Sequence, residues 1–175
     1  MFVNLETNRL HLKCVDRSDR EFIFEEFQND YINQYLYDEE PMTCVEQADD
    51  LIGFYNMEEP RNQHRWVLIH KLDNMKMGTC GFHNWDRKKN KVEIGFELMQ
   101  QYTGKGYMTE AVEAMIEFAR NDMDVHKITG IVYIDNSKCK RLLEKFGFSI
   151  VDKEECIFRG SMYIHDVYEL ELPKG

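Results

Sequence analysis

The residues best placed to do chemistry lie between Glu93 and Cys139. Val92, Ile94, Phe96 and Leu98 alternate with Glu93, Gly95 and Glu97, the pattern of a strand with one polar face. A carboxylate on such a half-buried face can act as a general base, directly or through water, and burial would raise its pKa toward neutrality. Glu93 is the first candidate and Glu97, on the same face, the second. Glu93 could instead simply face solvent, or pair with Arg65 or Lys91. Gln101-Tyr102-Thr103-Gly104-Lys105-Gly106 follows as a polar turn, and a helical pattern opens near Tyr107. Strand, glycine-rich turn and helix together expose unpartnered first-turn amides at the positive end of a helix dipole, where phosphate binds. Gly104 and Gly106 allow close approach, and Lys105 adds a cation. The turn is neither a P-loop nor a dinucleotide fingerprint, whose third glycine would fall on Thr109. On its own it could equally be two turn glycines opening an ordinary helix.

The surrounding elements can be read in order. Arg9 to Cys14 alternates as a strand. Asp16 or Ser18 caps a helix through about Gln28, with Phe22, Ile23 and Phe27 inward. Residues 29–41, aromatic and acidic, form a helix-loop segment. Thr43-Cys44-Val45-Glu46 fits a capping box for a helix to about Tyr55. Strands are expected at His64 to His70, Lys76 to Phe82 and Val92 to Leu98, the first two as a hairpin. The helix from Tyr107 runs to Arg120, and a strand follows from His126 to Ile134. Asn136 lies at the start of a helix to Phe146, with Gly147 at its C′ position. Phe148 to Phe158 and Met162 to Leu170 close the chain as two strands. An α/β (α+β) fold is expected: one mixed, mostly antiparallel sheet of about seven strands, with helices on both faces. No repeat or linker divides the chain, so residues 1–175 are read as a single domain.

The net charge of −10 argues against a nucleic-acid partner. No apolar run reaches the roughly 20 residues of a membrane span, and the opening stretch has no secretory h-region. The cysteines, 5 in number, are scattered and form no C-x-x-C pair, which fits reduced thiols and a cytoplasmic protein. The histidines show no metal-binding spacing, so no metal is expected.

Four separated stretches resemble the GNAT family of N-acetyltransferases, in its ribosomal-protein branch. Thr7 to Lys13 is similar to the T-x-R-L-x-L-R opening, Glu93-Ile94-Gly95-Phe96 to the E-I-G-Y strand, Gln101 to Ala111 to the CoA loop, and Asn136 to Phe148 to the N-x-x-S…K-x-G-F helix. The element order matches from end to end. The resemblance implies acetyl-CoA as co-substrate and direct attack by an amine in a ternary complex. Pantetheine would enter where the Glu93 strand splays from the next parallel strand, against backbone of Glu97 to Met99, including Leu98. Pyrophosphate would rest on Gln101, Gly104, Lys105, Gly106, Tyr107 and Met108. Asn136 would meet pantetheine, unless it is only a helix cap, and Lys138 is the first choice within the basic cluster Lys138–Lys145 for the 3′-phosphate.

The chain departs from the family pattern at one chemically important place. The tyrosine that commonly protonates the CoA thiolate is replaced by Leu143, and the serine of the ribosomal-protein branch by Cys139. Cys139 is therefore the candidate acid, with a reference pKa of about 8.5 that a helix N-terminus would lower. It could equally be a small residue packed near the CoA sulfur. In the family, the first two helices wall the acceptor pocket. Here residues 21–59 carry many carboxylates and no Lys or Arg. A cationic amine acceptor is expected: a protein N-terminus, a polyamine or an aminoglycoside. A solvated acidic surface is the alternative for that region, and a non-catalytic acyl-CoA-binding module the alternative for the whole chain. The resemblance also implies a possible homodimer, through the closing hairpin or an exposed sheet edge.

Overall fold

The computed structural model describes residues 1–173. Among them the chain forms β1 (Leu5–Glu6), β2 (Leu10–Cys14), α1 (Arg20–Gln28), α2 (Asp30–Asn33), α3 (Glu46–Tyr55), β3 (His64–His70), β4 (Lys76–Asp86), β5 (Lys91–Leu98), α4 (Tyr107–Asn121), β6 (Lys127–Tyr133), α5 (Ser137–Lys145), β7 (Ser149–Phe158) and β8 (Ser161–Glu171). The strands form one sheet of 8, in the order β1-β2-β3-β4-β5-β6-β8-β7. The strand beyond those read from the sequence is β1. Its two residues pair with Leu12 and His11 and are too short to show a period.

Alternation along the strands divides the apolar residues between two faces. On one, Trp66, Leu68, Phe82 and Ile94 meet the buried stripe of α4, Ala111, Val112, Met115 and Ala119, and Leu143 of α5. On the other, Val15, Val67 and Met99 pack beneath α1 and α3 through Ile23, Ala48 and Ile52. The long α4 obeys the 3.6-residue period closely, which made it easy to read.

Two helix starts differ from expectation. The Thr43–Glu46 capping box does not form. Gln47 Oε1 instead accepts from the amides of Thr43 and Cys44, and Val45 precedes α3 without a side-chain cap. The long Gln side chain reaches both free amides, which Glu46, turned outward, does not. Ahead of α1, Asp16 and Asp19 form a capping box around a 3-10 turn at Arg17–Asp19. Asn29 caps the short α2, accepting from Tyr31 and Ile32.

The feature that creates the site is a broken ladder. All pairs in the sheet are antiparallel except β5–β6. That parallel pair matches Lys91 with Lys127, Val92 with Ile128 and Glu93 with Thr129, and then stops. Beyond it β5 stays paired with β4 as far as Leu98, while β6 stays paired with β8 as far as Tyr133. The two strands diverge, and backbone on β5 after Glu93 faces a gap.

Met115 is fully buried between α4 and the sheet. Met115→Ala is expected to lower unfolding free energy by roughly 2–5 kcal/mol, read as a reduced urea midpoint at unchanged slope.

Candidate active site

The gap between β5 and β6 opens into a cleft of about 1280 Å³, walled by α2 and the loop after it, β5, β6, α4 and α5. At one end lies the glycine turn. Gly104 and Gly106 have φ of 76° and 80°, in the left-handed region. Gly106 stands at the N-cap of α4 with no side-chain cap bond, so amides of the first turn remain available to an anion. The turn is braced by residues that sequence reasoning passed over. Arg9 donates from its amide and from Nε to the Glu110 carboxylate, at 2.6 and 2.8 Å, and from Nη1 to the Lys105 carbonyl at 3.0 Å. Thr7 Oγ1 also donates to Glu110, and the Arg9 guanidinium lies 4.5 Å from the Tyr107 ring centre. The T-x-R opening of the chain is thus a clamp on the loop, joined across about a hundred residues of sequence. The motif itself was the available signal; its partner Glu110, in the first turn of α4, was not distinguishable from an ordinary helix-start acid.

Leu98, Gly104, Gly106, Tyr107, Met108, Asn136, Lys138 and Cys139 all line the cleft with Glu93 and Glu97. Three expected cofactor contacts do not. Met99 is buried in the core beneath α1 and α3, and its amide donates to the Met77 carbonyl, so it offers no free backbone donor. Gln101 is exposed on the 3-10 turn at Gln100–Tyr102, and Lys105 Nζ folds back onto the Gln101 carbonyl at 3.1 Å. Lys138 Nζ donates to the Tyr31 hydroxyl at 3.0 Å, joining α5 to α2 across the cleft mouth. Lys140 of the same basic cluster is committed to the buried Asp166, at 2.7 Å.

Glu93 sits at the apex of the splay. Asn84 Nδ2 donates to its Oε2 at 3.1 Å. Burial raises its carboxyl above the usual range, the Asn84 bond opposes this, and the charges of Glu154 and Asp38 add to the rise. Arg65, one of the two cations that the alternative reading would pair with it, goes elsewhere. Arg65 Nη1 donates to Glu97 Oε2 and to Thr79 Oγ1, both at 2.6 Å, and Nη2 to the Tyr55 hydroxyl at 3.1 Å. Glu97 is therefore tied to a buried guanidinium, which leaves Glu93 the better placed carboxylate. Behind this pair Glu26 is completely buried, and burial together with repulsion from Glu97 drives its carboxyl well above the usual range.

Asn136 Oδ1 accepts from the Cys139 amide at 3.2 Å, so Asn136 is a helix cap that also borders the cleft. The Cys139 thiol moves opposite to the expected direction. Burial first, then the nearby Glu97 charge, push it up to about 12, outweighing any effect of the helix terminus. The thiol stays protonated at neutral pH and is poorly matched to donate to a more acidic thiol's conjugate base. Leu143 is 1% exposed, with a methyl 3.0 Å from the ideal Cβ position of Gly130, and is a core residue.

Removing the loop clamp has a defined expected outcome. Arg9→Ala should weaken acetyl-CoA binding about tenfold, roughly 1.4 kcal/mol, as read by calorimetry, because the loss of charge-assisted bonds to Glu110 and Lys105 frees the turn.

Residues 9–149 match the acetyltransferase (GNAT) domain. The chain is 30% identical over 177 residues to the uncharacterized N-acetyltransferase YoaA of Bacillus subtilis (strain 168), covering 99% of both. Its fold superposes on that of a ribosomal L7/L12 alpha-N-protein acetyltransferase in complex with coenzyme A, with TM-score 0.87 at 16% identity, covering 97% of this chain and 98% of the other. It likewise matches spermidine N-acetyltransferase from Vibrio cholerae in complex with CoA and spermine, with TM-score 0.84 at 20% identity, covering 95% and 97%. The open amides of α4 and the unpaired edge of β5 suit a phosphate-bearing, extended thioester. With this match the chain belongs to the acetyltransferase (GNAT) family, and is an acetyl-CoA-dependent N-acetyltransferase.

Proposed function

We propose that the acceptor is a primary amine carrying additional positive charge, a polyamine-like molecule or a basic protein N-terminus. The carrying observation is the composition of the cleft wall opposite the loop. Asp38, Glu39, Glu93 and Glu154 all border it, and none makes an ion pair among the described residues. Asp50 also borders the cleft with no ion pair among the described residues, whereas three other acids of the 21–59 stretch are committed elsewhere: Asp49 to Arg20, Glu40 to Arg159, and Glu26 in the interior. Aromatic rings stand beside the acids. Tyr37 stacks on Tyr163 at 3.7 Å, and Tyr133 meets Tyr37 edge-on at 4.7 Å. Rings and carboxylates together favour a cation with an apolar stem. Among the superposable proteins, one is named for spermidine and another for a ribosomal-protein N-terminus, so both classes are compatible with the fold.

In this reading Leu98, Gly104, Gly106, Tyr107, Met108 and Asn136 hold the cofactor, which supplies the activated acetyl group. Glu93 takes the proton of the acceptor ammonium, which is mostly protonated at neutral pH whether its pKa is about 10.4, as for a lysine-like amine, or about 8, as for an α-amino group. Its raised pKa brings the base nearer to the amine's, and Asp38 and Glu154 keep the cation close. Cys139 packs as a neutral thiol beside the reacting end of the cleft.

Acetyl transfer measured as CoA release against spermidine, an aminoglycoside and peptides with Ser, Ala or Met N-termini tests the acceptor class. Asp38→Asn with Glu39→Gln should raise KM for the best cationic acceptor about tenfold and leave acetyl-CoA binding unchanged. Unchanged kcat/KM for every cationic acceptor would sink the proposal. Glu93→Gln should lower kcat/KM by roughly 10²–10³, whereas Cys139→Ala keeps kcat within about threefold. Because Glu93 must be ionised to accept a proton, activity should rise with pH through a limb above the ordinary carboxylate range, and Glu93→Gln should remove that limb.

A further inference from the structure

His83 occupies a position that neither the general-base role nor the cofactor site accounts for. It lies on β4 directly opposite Glu93 of β5, and both side chains border the cleft. Its ring leans over Gly95: Nε2 is 2.8 Å from where a Cβ on that residue would stand. Gly95 lies between Glu93 and Glu97 on the same face, and only its missing side chain lets the imidazole reach the floor between them.

The hydrogen-bond chain behind the ring fixes which nitrogen carries the proton. Arg65 has donors only, so the Tyr55 oxygen must accept from Nη2 at 3.1 Å. The single Tyr55 O–H is then left to donate to His83 Nδ1 at 3.0 Å. Burial, reinforced by the Arg65 charge, pushes the His83 pKa down to about 3, so the ring is neutral. A neutral ring that accepts at Nδ1 carries its proton on Nε2. Among the described residues no protein group accepts from that Nε2–H, and it is not among the fully enclosed unpartnered atoms.

We infer that His83 is a positioning residue for acetyl transfer, a fixed Nε2–H donor on the cleft floor that orients Glu93, or the water Glu93 uses, toward the acceptor amine. The step itself rests on the reading of Glu93 as base. The ammonium proton passes to the Glu93 carboxylate and the freed nitrogen lone pair attacks the thioester carbonyl. The C–S bond then breaks, the departing CoA thiolate takes the nitrogen's second surplus proton to leave as the thiol, Glu93 returns its proton to solvent, and His83 keeps its proton throughout. Arg65 serves twice: it ties down Glu97, and through Tyr55 it sets the tautomer of the ring beside Glu93.

Nitrogen NMR of histidine-labelled protein reads the tautomer without any acceptor. His83 should appear neutral and protonated at Nε2 between pH 5 and 8, about the range in which a free histidine titrates. Tyr55→Phe should erode that preference. An imidazolium, or a proton on Nδ1, overturns the inference. Carbon NMR of the side-chain carboxyls then tests the link to Glu93, whose other neighbours are Asn84, Lys91, Asp38 and Glu154. His83→Leu should move the Glu93 midpoint up by about one pH unit, while His83→Gln, whose amide N–H falls near the position of Nε2, should restore it. Equal midpoints in wild type and His83→Leu overturn the link. With the fastest acceptor of the panel, His83→Leu should lower kcat about tenfold with acetyl-CoA binding intact, His83→Gln should recover most of it, and Glu93→Gln should abolish the difference between them. Equal losses in the two folded His83 variants mark a packing role. If Glu93→Gln alone leaves turnover intact, the base reading fails by itself, whatever the NMR shows for His83.

Discussion

Everything at this site depends on the parallel ladder between β5 and β6 ending at the pair of Glu93 and Thr129. A parallel pair is normally buried and continuous, since unpaired backbone in an interior is costly. Here each strand keeps its other neighbour, β4 for β5 and β8 for β6, so the sheet tolerates the split without losing its frame. The split supplies three things at once. It opens the cleft, leaves strand-edge hydrogen-bonding groups of β5 facing it, and puts Glu93 at the apex where the two walls meet.

The electrostatics divide along the same line. On the loop side the charge comes from backbone: first-turn amides of α4, held in place by the Arg9–Glu110 clamp. On the cleft wall opposite the loop it comes from carboxylates, but only those whose charge is not already neutralised. Buried Arg65 sorts them. It holds Glu97 in an ion pair, and burial with the Glu97 charge raises the Glu26 carboxyl against the opposing pull of Arg65. Burying a guanidinium is costly unless its donors are satisfied, and Glu97, Thr79 and Tyr55 satisfy most of them. Glu93 is thereby left to the cleft.

Much of this was legible in the chain. Strand and helix positions followed from alternation in β5 and the 3.6-residue period in α4, and the glycines between them marked the turn that leaves the first amides of α4 open. The family and the acidic character of residues 21–59 were legible for the same reason: they rest on local patterns of residue type. The Thr43–Glu46 box failed because a competing side chain, Gln47, lay one residue further on and took the Thr43 amide that Glu46 would have capped, along with that of Cys44. β1 was missed because two residues carry no period.

Local sequence fixes the longer elements, their order and the kind of chemistry, because periodicity and turn residues act over a few positions. What only tertiary structure decided is partnership. Whether Arg65 meets Glu93 or Glu97 turns on which side chains share a cluster across three strands and two helices. The Cys139 thiol was expected to be acidified by its helix and is instead made less acidic, because burial outweighs a helix terminus. Met99 was expected at the cofactor and lies in the core, because the chain turns at the end of β5. Burial and long-range contact set each of these outcomes, and neither is written in local spacing.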